Sequence, residues 1–90
     1  MKVYISLISH FDGMLQDQET VRCFNLFMIQ EVKARGYDTT YDPMESDVIL
    51  LLPTYQYDKY CMEEYEQFKN SKVILTSLEQ LEGFMMEACA

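Results

Sequence analysis

The sequence predicts a small α/β domain: a mainly parallel four-stranded sheet in a three-layer sandwich with about three helices. Four short segments are rich in β-branched and aromatic residues, at 2–9, 37–42, 48–52 and 72–76. Segments with apolar residues at helical spacing alternate with most of them. This alternation is typical of a parallel sheet covered by helices. A chain of 90 residues is expected to form one domain, 1–90.

The first strand and the longest helix lie in the first third of the chain. Residues 2–9 are almost continuously apolar, which is typical of a strand buried on both faces. Asp17 suits the N-cap of the following helix, and Gly36 suits the position after its last turn. The helix is predicted over 18–35, with an apolar face formed by Val21, Phe24, Met28 and Val32.

The connection between the second and third strands is unusually short. Residues 37–42 form a more polar strand, expected at a sheet edge, and Pro43 ends it. Parallel strands normally need a dozen or more residues to cross back, but only residues 43–47 precede the third strand. Either these residues form a compressed turn in place of a helix, or the two strands flank the first one in the order 2-1-3-4.

The second half of the chain repeats the strand–helix unit twice. Residues 48–52 and 72–76 are the third and fourth strands, and the former is expected to be the most buried. Asp58 suits the N-cap of the second helix, and the S-L-E-Q sequence at 77–80 is a capping box that begins the last helix. The expected inward-facing positions of these two helices are Cys61, Tyr65, Phe68, Leu78, Leu81, Phe84 and Met85.

Composition narrows the function classes. Hydrophobic residues make up 49% of the chain, too many for intrinsic disorder. A formal charge of −8 disfavours direct binding to nucleic acid, and no run approaches the roughly 18 apolar residues of a membrane span. Cys23, Cys61 and Cys89 form no CxxC pair, which fits reduced thiols in a cytoplasmic protein. Neither metal-ligand spacing nor a Gly-rich phosphate loop is present, so we expect no metal and no cofactor.

Polar residues follow the first three predicted strands. In open α/β sheets, ligands bind at the carboxyl edge, in the crevice where the strand order reverses. The loops after the first and third strands are expected to line that crevice. The candidate binding and catalytic residues are Ser9, His10, Asp12, Asp42, Tyr55, Tyr57, Asp58 and Glu64.

Residues 46–65, SDVILLLPTYQYDKYCMEEY, resemble the core of TIR domains. Those domains typically have an apolar strand, Ser-Pro-x-Tyr, a short polar loop, Trp-Cys and a Glu three residues after the Cys. Tyr60 replaces the Trp here, and the start MKVYIS is also similar to nucleoside 2-deoxyribosyltransferase-like proteins. The resemblance implies a flavodoxin-like or TIR-like sheet order, 2-1-3-4. The residues at matching offsets are Pro53, Tyr55, Lys59, Cys61 and Glu64.

In both groups this glutamate belongs to an active site that cleaves an N-glycosidic bond. The resemblance therefore implies that Glu64 is the nucleophile, or that it stabilises an oxocarbenium-like centre at C1′. It further implies that Tyr55 or Tyr57 stacks on a base, and that Asp12 or Asp42 binds ribose hydroxyls. The expected ligand is a nucleoside or nucleotide. An enzyme of this kind would resemble a deoxyribosyltransferase or an NAD glycohydrolase.

The alternative is a non-catalytic interaction protein. Glu64 lies in an acidic run with Glu63, and such runs are typical of a solvated helix face. A compact acidic domain with a tyrosine-rich rim fits a protein partner, as in small inhibitors from phages or mobile elements. The last helix, with Met85, Met86 and Cys89, is a further candidate for contact with a second copy of the chain.

Overall fold

A computed structural model describes residues 1–8, 18–52 and 55–89, except for the side chain of the last of these. Each predicted strand and helix is present with slightly different ends, and the predicted N-cap Asp17 lies outside the described residues. Single 3-10 turns at Pro43–Glu45 and Tyr55–Tyr57 precede the third strand and the second helix. The strands and helices are β1 (Lys2–Ser6), α1 (Gln18–Ala34), β2 (Asp38–Thr40), β3 (Val48–Leu51), α2 (Lys59–Phe68), β4 (Val73–Leu75) and α3 (Leu78–Cys89).

The four strands form one parallel sheet in the order β2-β1-β3-β4. Val3 of β1 pairs with Thr39 on one side and Val48 on the other, and Val48 pairs in turn with Val73. The predicted order 2-1-3-4 is therefore confirmed, as is the edge position of β2. Both descriptions of the short connection hold, because β2 and β3 flank β1 and a single 3-10 turn stands where a helix is usual.

Hydrogen bonds fix the connection from β2 to β3 at the amino-terminal edge of the sheet. The Asp42 carboxylate accepts a hydrogen bond from the Met44 amide at 2.9 Å and so caps the 3-10 turn. The Asp47 amide donates to the Lys2 carbonyl at 3.0 Å, at the first residue of β1. A connection over residues 41–47 reaches about 24 Å at full extension, and β1 is about 16 Å long. The connection is therefore too short to form a helix and also run back along the length of the sheet.

The helices cover both faces of the sheet. On one face, Val3 and Ile5 pack in a core with side chains of α1 and α3. On the other, Ile49 and Leu51 pack against Phe68 of α2. Every residue of β3 has no exposed surface, as predicted for the third strand. The inward-facing positions of the helices are confirmed: Val21, Met28, Val32, Cys61, Phe68, Leu81 and Met85 are buried, and Phe24, Tyr65, Leu78 and Phe84 are half-buried against the same cores.

Helix caps follow the sequence signals. The Asp58 carboxylate accepts from the amides of Tyr60 at 2.9 Å and Cys61 at 3.2 Å, so it caps α2 as predicted. The Ser77 hydroxyl accepts from the Gln80 amide at 3.1 Å, which is half of the predicted capping box. Gly36 has a φ of +85°, the left-handed conformation that glycine adopts after a helix.

Replacing Asp58 with Ala should lower the free energy of unfolding by about 1–2 kcal/mol, because α2 loses the acceptor for two of its first amides. Asp42→Ala is the matched control, since it removes the cap of a single exposed 3-10 turn and should cost less than about 0.5 kcal/mol. Urea denaturation of both variants measures the difference. Equal losses in the two variants would contradict the assigned importance of the α2 cap.

Candidate functional site

The carboxylate of Glu64 is held against the sheet by two hydroxyl groups. The Tyr4 hydroxyl donates to Glu64 Oε2, and the Ser6 hydroxyl donates to Oε1 at 2.7 Å. Alternation along β1 places both hydroxyls on the face that α2 covers. Glu64 reaches them because it lies one helical turn after Cys61, which is fully buried. Each carboxylate oxygen keeps a further lone pair for a ligand.

Glu64 opens into a groove of about 490 Å³ between α2 and the β1–β2 half of the sheet. A volume of this size lies within the range of small-molecule pockets. The groove exists because α2 connects β3 to β4 and packs mainly over the β3–β4 half of the sheet. The connection from β2 contributes a 3-10 turn near the amino-terminal edge and no helix beside α2. The lining residues are Tyr4, Ile5, Leu7, Tyr41, Tyr60, Glu63, Glu64 and Gln67.

Two exposed tyrosines form the rims of this groove. Tyr41 directly follows β2 and is 78% exposed, and Tyr60 lies in the first turn of α2 and is 66% exposed. Neither Tyr41 nor Tyr60 belongs to the candidate binding and catalytic residues named from the sequence. A signal for Tyr60 was available, because it occupies the aromatic position before the Cys in the TIR-like motif. Tyr41 carries no such signal, since only the sheet order brings the end of β2 close to α2.

The other predicted site residues do not meet at this groove. Asp42 turns away to cap the 3-10 turn, and Asp58 is fully buried as the cap of α2, so neither carboxylate is presented to a ligand here. Tyr55 packs half-buried against Tyr65 with ring centroids 6.3 Å apart, and Tyr57 is 60% exposed without lining the groove. The candidates Ser9, His10 and Asp12 lie outside the described residues.

Glu63 points to solvent, as its helical offset from Glu64 predicts, yet it also lines the groove.

On α3, Met85 is buried in the core while Met86 is 73% exposed. The apolar surface expected from Met85 is therefore absent, because that side chain packs against the sheet instead.

Tyr4 and Cys61 have neutral side chains at physiological pH. Burial, reinforced by the hydrogen bond to Glu64, raises the pKa of Tyr4 well above its usual value, so Tyr4 remains a donor. Burial also raises the pKa of the Cys61 thiol to about 11. Its sulfur lies 3.4 Å from the Leu7 carbonyl oxygen, to which it donates. A buried, protonated thiol is a poor nucleophile, so Cys61 is a core residue, as predicted.

The described part of the chain contains no group of three or more His, Cys, Asp or Glu side chains arranged to hold a metal ion. Among the same residues, no helix has the length and apolar character needed to cross a membrane.

Comparison of the chain with protein-family models, curated proteins and solved structures gives no match. The TIR-like and deoxyribosyltransferase-like assignment therefore stays a proposal, based on the residues quoted above.

The raised pKa of Cys61 predicts a loss of stability at alkaline pH. An unfolded thiol ionises near pH 9.0, whereas the folded one keeps its proton to about pH 11. The contribution of the protonated Cys61 thiol to the free energy of unfolding is therefore complete below pH 9. It is lost between pH 9 and pH 11, at up to about 1.4 kcal/mol per pH unit. Urea denaturation at several pH values should show a shallower decline for Cys61→Ala than for the parent. Equal slopes in the two proteins would contradict the assignment.

Proposed function

We propose that the groove at Glu64 binds a nucleoside or nucleotide and that Glu64 acts on its N-glycosidic bond. The observation that carries the proposal is the carboxylate held by the Tyr4 and Ser6 hydroxyls at the floor of a groove of about 490 Å³. Two exposed tyrosine rings, Tyr41 and Tyr60, border the same space. An aromatic ring gives a stacking surface for any base.

The arrangement supports a simple chemical role for each group. The Glu64 carboxylate either attacks C1′, forming a glycosyl ester, or stabilises positive charge that develops there. In both cases the bonding electrons leave with the base, which takes a proton from solvent. The hydroxyls of Tyr4 and Ser6 orient the carboxylate, and the raised pKa of Tyr4 keeps its proton on the donor side of that hydrogen bond. In the covalent route, water or a second base then displaces Glu64 from C1′; in the other route, water adds to C1′ and releases its proton to solvent.

A second candidate function is binding to a protein partner. It is favoured by the exposure of Tyr41, Tyr57 and Tyr60, each with more than half of its surface open to solvent. Tyrosine is enriched in protein interfaces because it combines a large contact area with a hydroxyl group. Tyr57 belongs to this surface and not to the groove lining, so it separates the two functions.

Glu64→Gln should abolish base release. The substitution keeps the size of the side chain and removes its charge, so release from NAD or from 2′-deoxynucleosides should fall at least about a hundredfold. Chromatography of the free base measures this. Glu66→Gln is the control, because Glu66 lies on the same helix outside the groove, paired with Lys69 at 2.7 Å. Identical rates in the parent and the Glu64 variant would rule out the enzymatic form of the proposal.

Tyr41→Ala and Tyr60→Ala should each weaken nucleoside binding by about 1–3 kcal/mol if the rings stack on the base. Tyr57→Ala should leave that affinity unchanged, because Tyr57 is also more than half exposed but lies outside the groove. Isothermal titration with a deoxynucleoside measures all three. A loss in the Tyr57 variant matching those in the other two would indicate a general surface effect and count against the groove.

A further inference from the structure

We infer that the Glu64 groove selects against phosphorylated ligands, with Glu63 as the repelling residue at its rim, so that the ligand is a nucleoside and not a nucleotide. The inference rests on the proposed function and narrows its ligand class. It depends on three features of the described chain: the position of the basic residues, the state of the α2 N-terminus and the charge of the groove lining.

Among the residues that the structure describes, no Lys or Arg lines the groove. Most of the basic residues lie toward the amino-terminal edge of the sheet, away from the groove mouth. There Lys72 donates to the Ser46 carbonyl at 2.5 Å, and Arg35 pairs with Glu82 at 2.5 Å. The other members of this group are Lys2, Lys33 and Lys69.

Two basic residues remain near the carboxyl edge, and neither lines the groove. Arg22 pairs with Glu19 at 2.8 Å and borders a different hollow along α1. Lys59 begins α2 and lines a second hollow on the outer surface of that helix, together with Met62, Glu66 and the two groove residues Glu63 and Gln67. Segments 9–17 and 53–54 contain no Lys or Arg in their sequence. These two segments therefore offer no Lys or Arg side chain to a phosphate.

The N-terminus of α2 is not available to a phosphate either. Helix N-termini bind anions through free backbone amides. At α2, the amides of Tyr60 and Cys61 already donate to the buried Asp58 carboxylate. The first turn therefore has an internal anion of its own, and a second negative group would be repelled by it.

The charge of the groove itself is negative. Glu63 and Glu64 contribute adjacent carboxylates to the lining, in a chain whose formal charge is −8. Glu64 accepts one hydrogen bond on each oxygen, from the hydroxyls of Tyr4 and Ser6, whereas Glu63 is exposed at the rim. A phosphate carries up to two negative charges near neutral pH, so it meets like charge at the entrance. An uncharged nucleoside pays no such cost.

The test compares thymidine and 2′-deoxyadenosine with their 5′-monophosphates by isothermal titration of the full chain at low salt. The nucleosides should bind at least roughly tenfold more tightly than the monophosphates. Glu63→Lys should reduce the ratio of the nucleoside affinity to the monophosphate affinity several-fold. Glu87→Lys is the matched control, since it makes the same charge change at an exposed position on α3, on the opposite face of the sheet, and should leave the ratio unchanged. Raising the salt to about 0.5 M should narrow the ratio in the parent.

The possible results distinguish selection against phosphorylated ligands from the proposed function itself. Equal binding of nucleosides and monophosphates by the parent, or an equal effect of the Glu63 and Glu87 substitutions, overturns this inference and leaves the proposed function standing. Failure of every nucleoside and monophosphate to bind the folded parent overturns the proposed function, and this inference with it. Glu63→Gln, which removes the charge without reversing it, should give an intermediate ratio and guards against misfolding of the Lys variant.

Discussion

The short return from β2 to β3 is the constraint on which the site depends. Residues 41–47 must travel from the carboxyl end of β2 to the amino end of β3, and they do so with one 3-10 turn. No helix of that connection lies beside α2, so the β1–β2 half of the sheet stays open on that face. Tyr4 is therefore only half-buried, and its hydroxyl meets the Glu64 carboxylate at the groove beside the fully buried Ser6.

The polar group formed by Tyr4, Ser6 and Glu64 borders an apolar core on its inner side. Its neighbours on this face of the sheet include Ile49 and Leu51, both fully buried. An apolar residue at position 64 would pack there without the cost of desolvating a carboxylate. Local departures from the simplest packing solution tend to occur at functional sites. The hydroxyl donors offset part of that cost, and they also set the direction in which the carboxylate points.

The TIR-like motif and the groove agree on Glu64 and differ on the aromatic residues. The resemblance assigned base stacking to Tyr55 or Tyr57, which follow the third strand. In the fold, Tyr55 packs against Tyr65, and Tyr57 lies outside the groove. The residues at the rims, Tyr41 and Tyr60, come from different elements. In the proposed function, stacking is therefore assigned to the groove tyrosines.

The sequence by itself determined most of the fold. Apolar runs with β-branched residues located the strands, helical spacing located the buried faces, and Asp58, Gly36 and Ser77 marked helix ends, because these signals act over a few neighbouring residues. It also singled out Glu64, through a motif of about twenty residues. It left two descriptions of the β2–β3 connection open, and both turned out to apply.

Only the tertiary structure decided the composition of the site. Tyr4 and Glu64 are sixty residues apart, and Tyr41 meets α2 only because β2 lies beside β1. Asp42 and Asp58 were predicted as ligand contacts because each carboxylate follows a strand in the sequence. The sequence does not show that each carboxylate accepts hydrogen bonds from nearby backbone amides. Contacts between distant segments depend on strand order and packing, which local patterns do not encode.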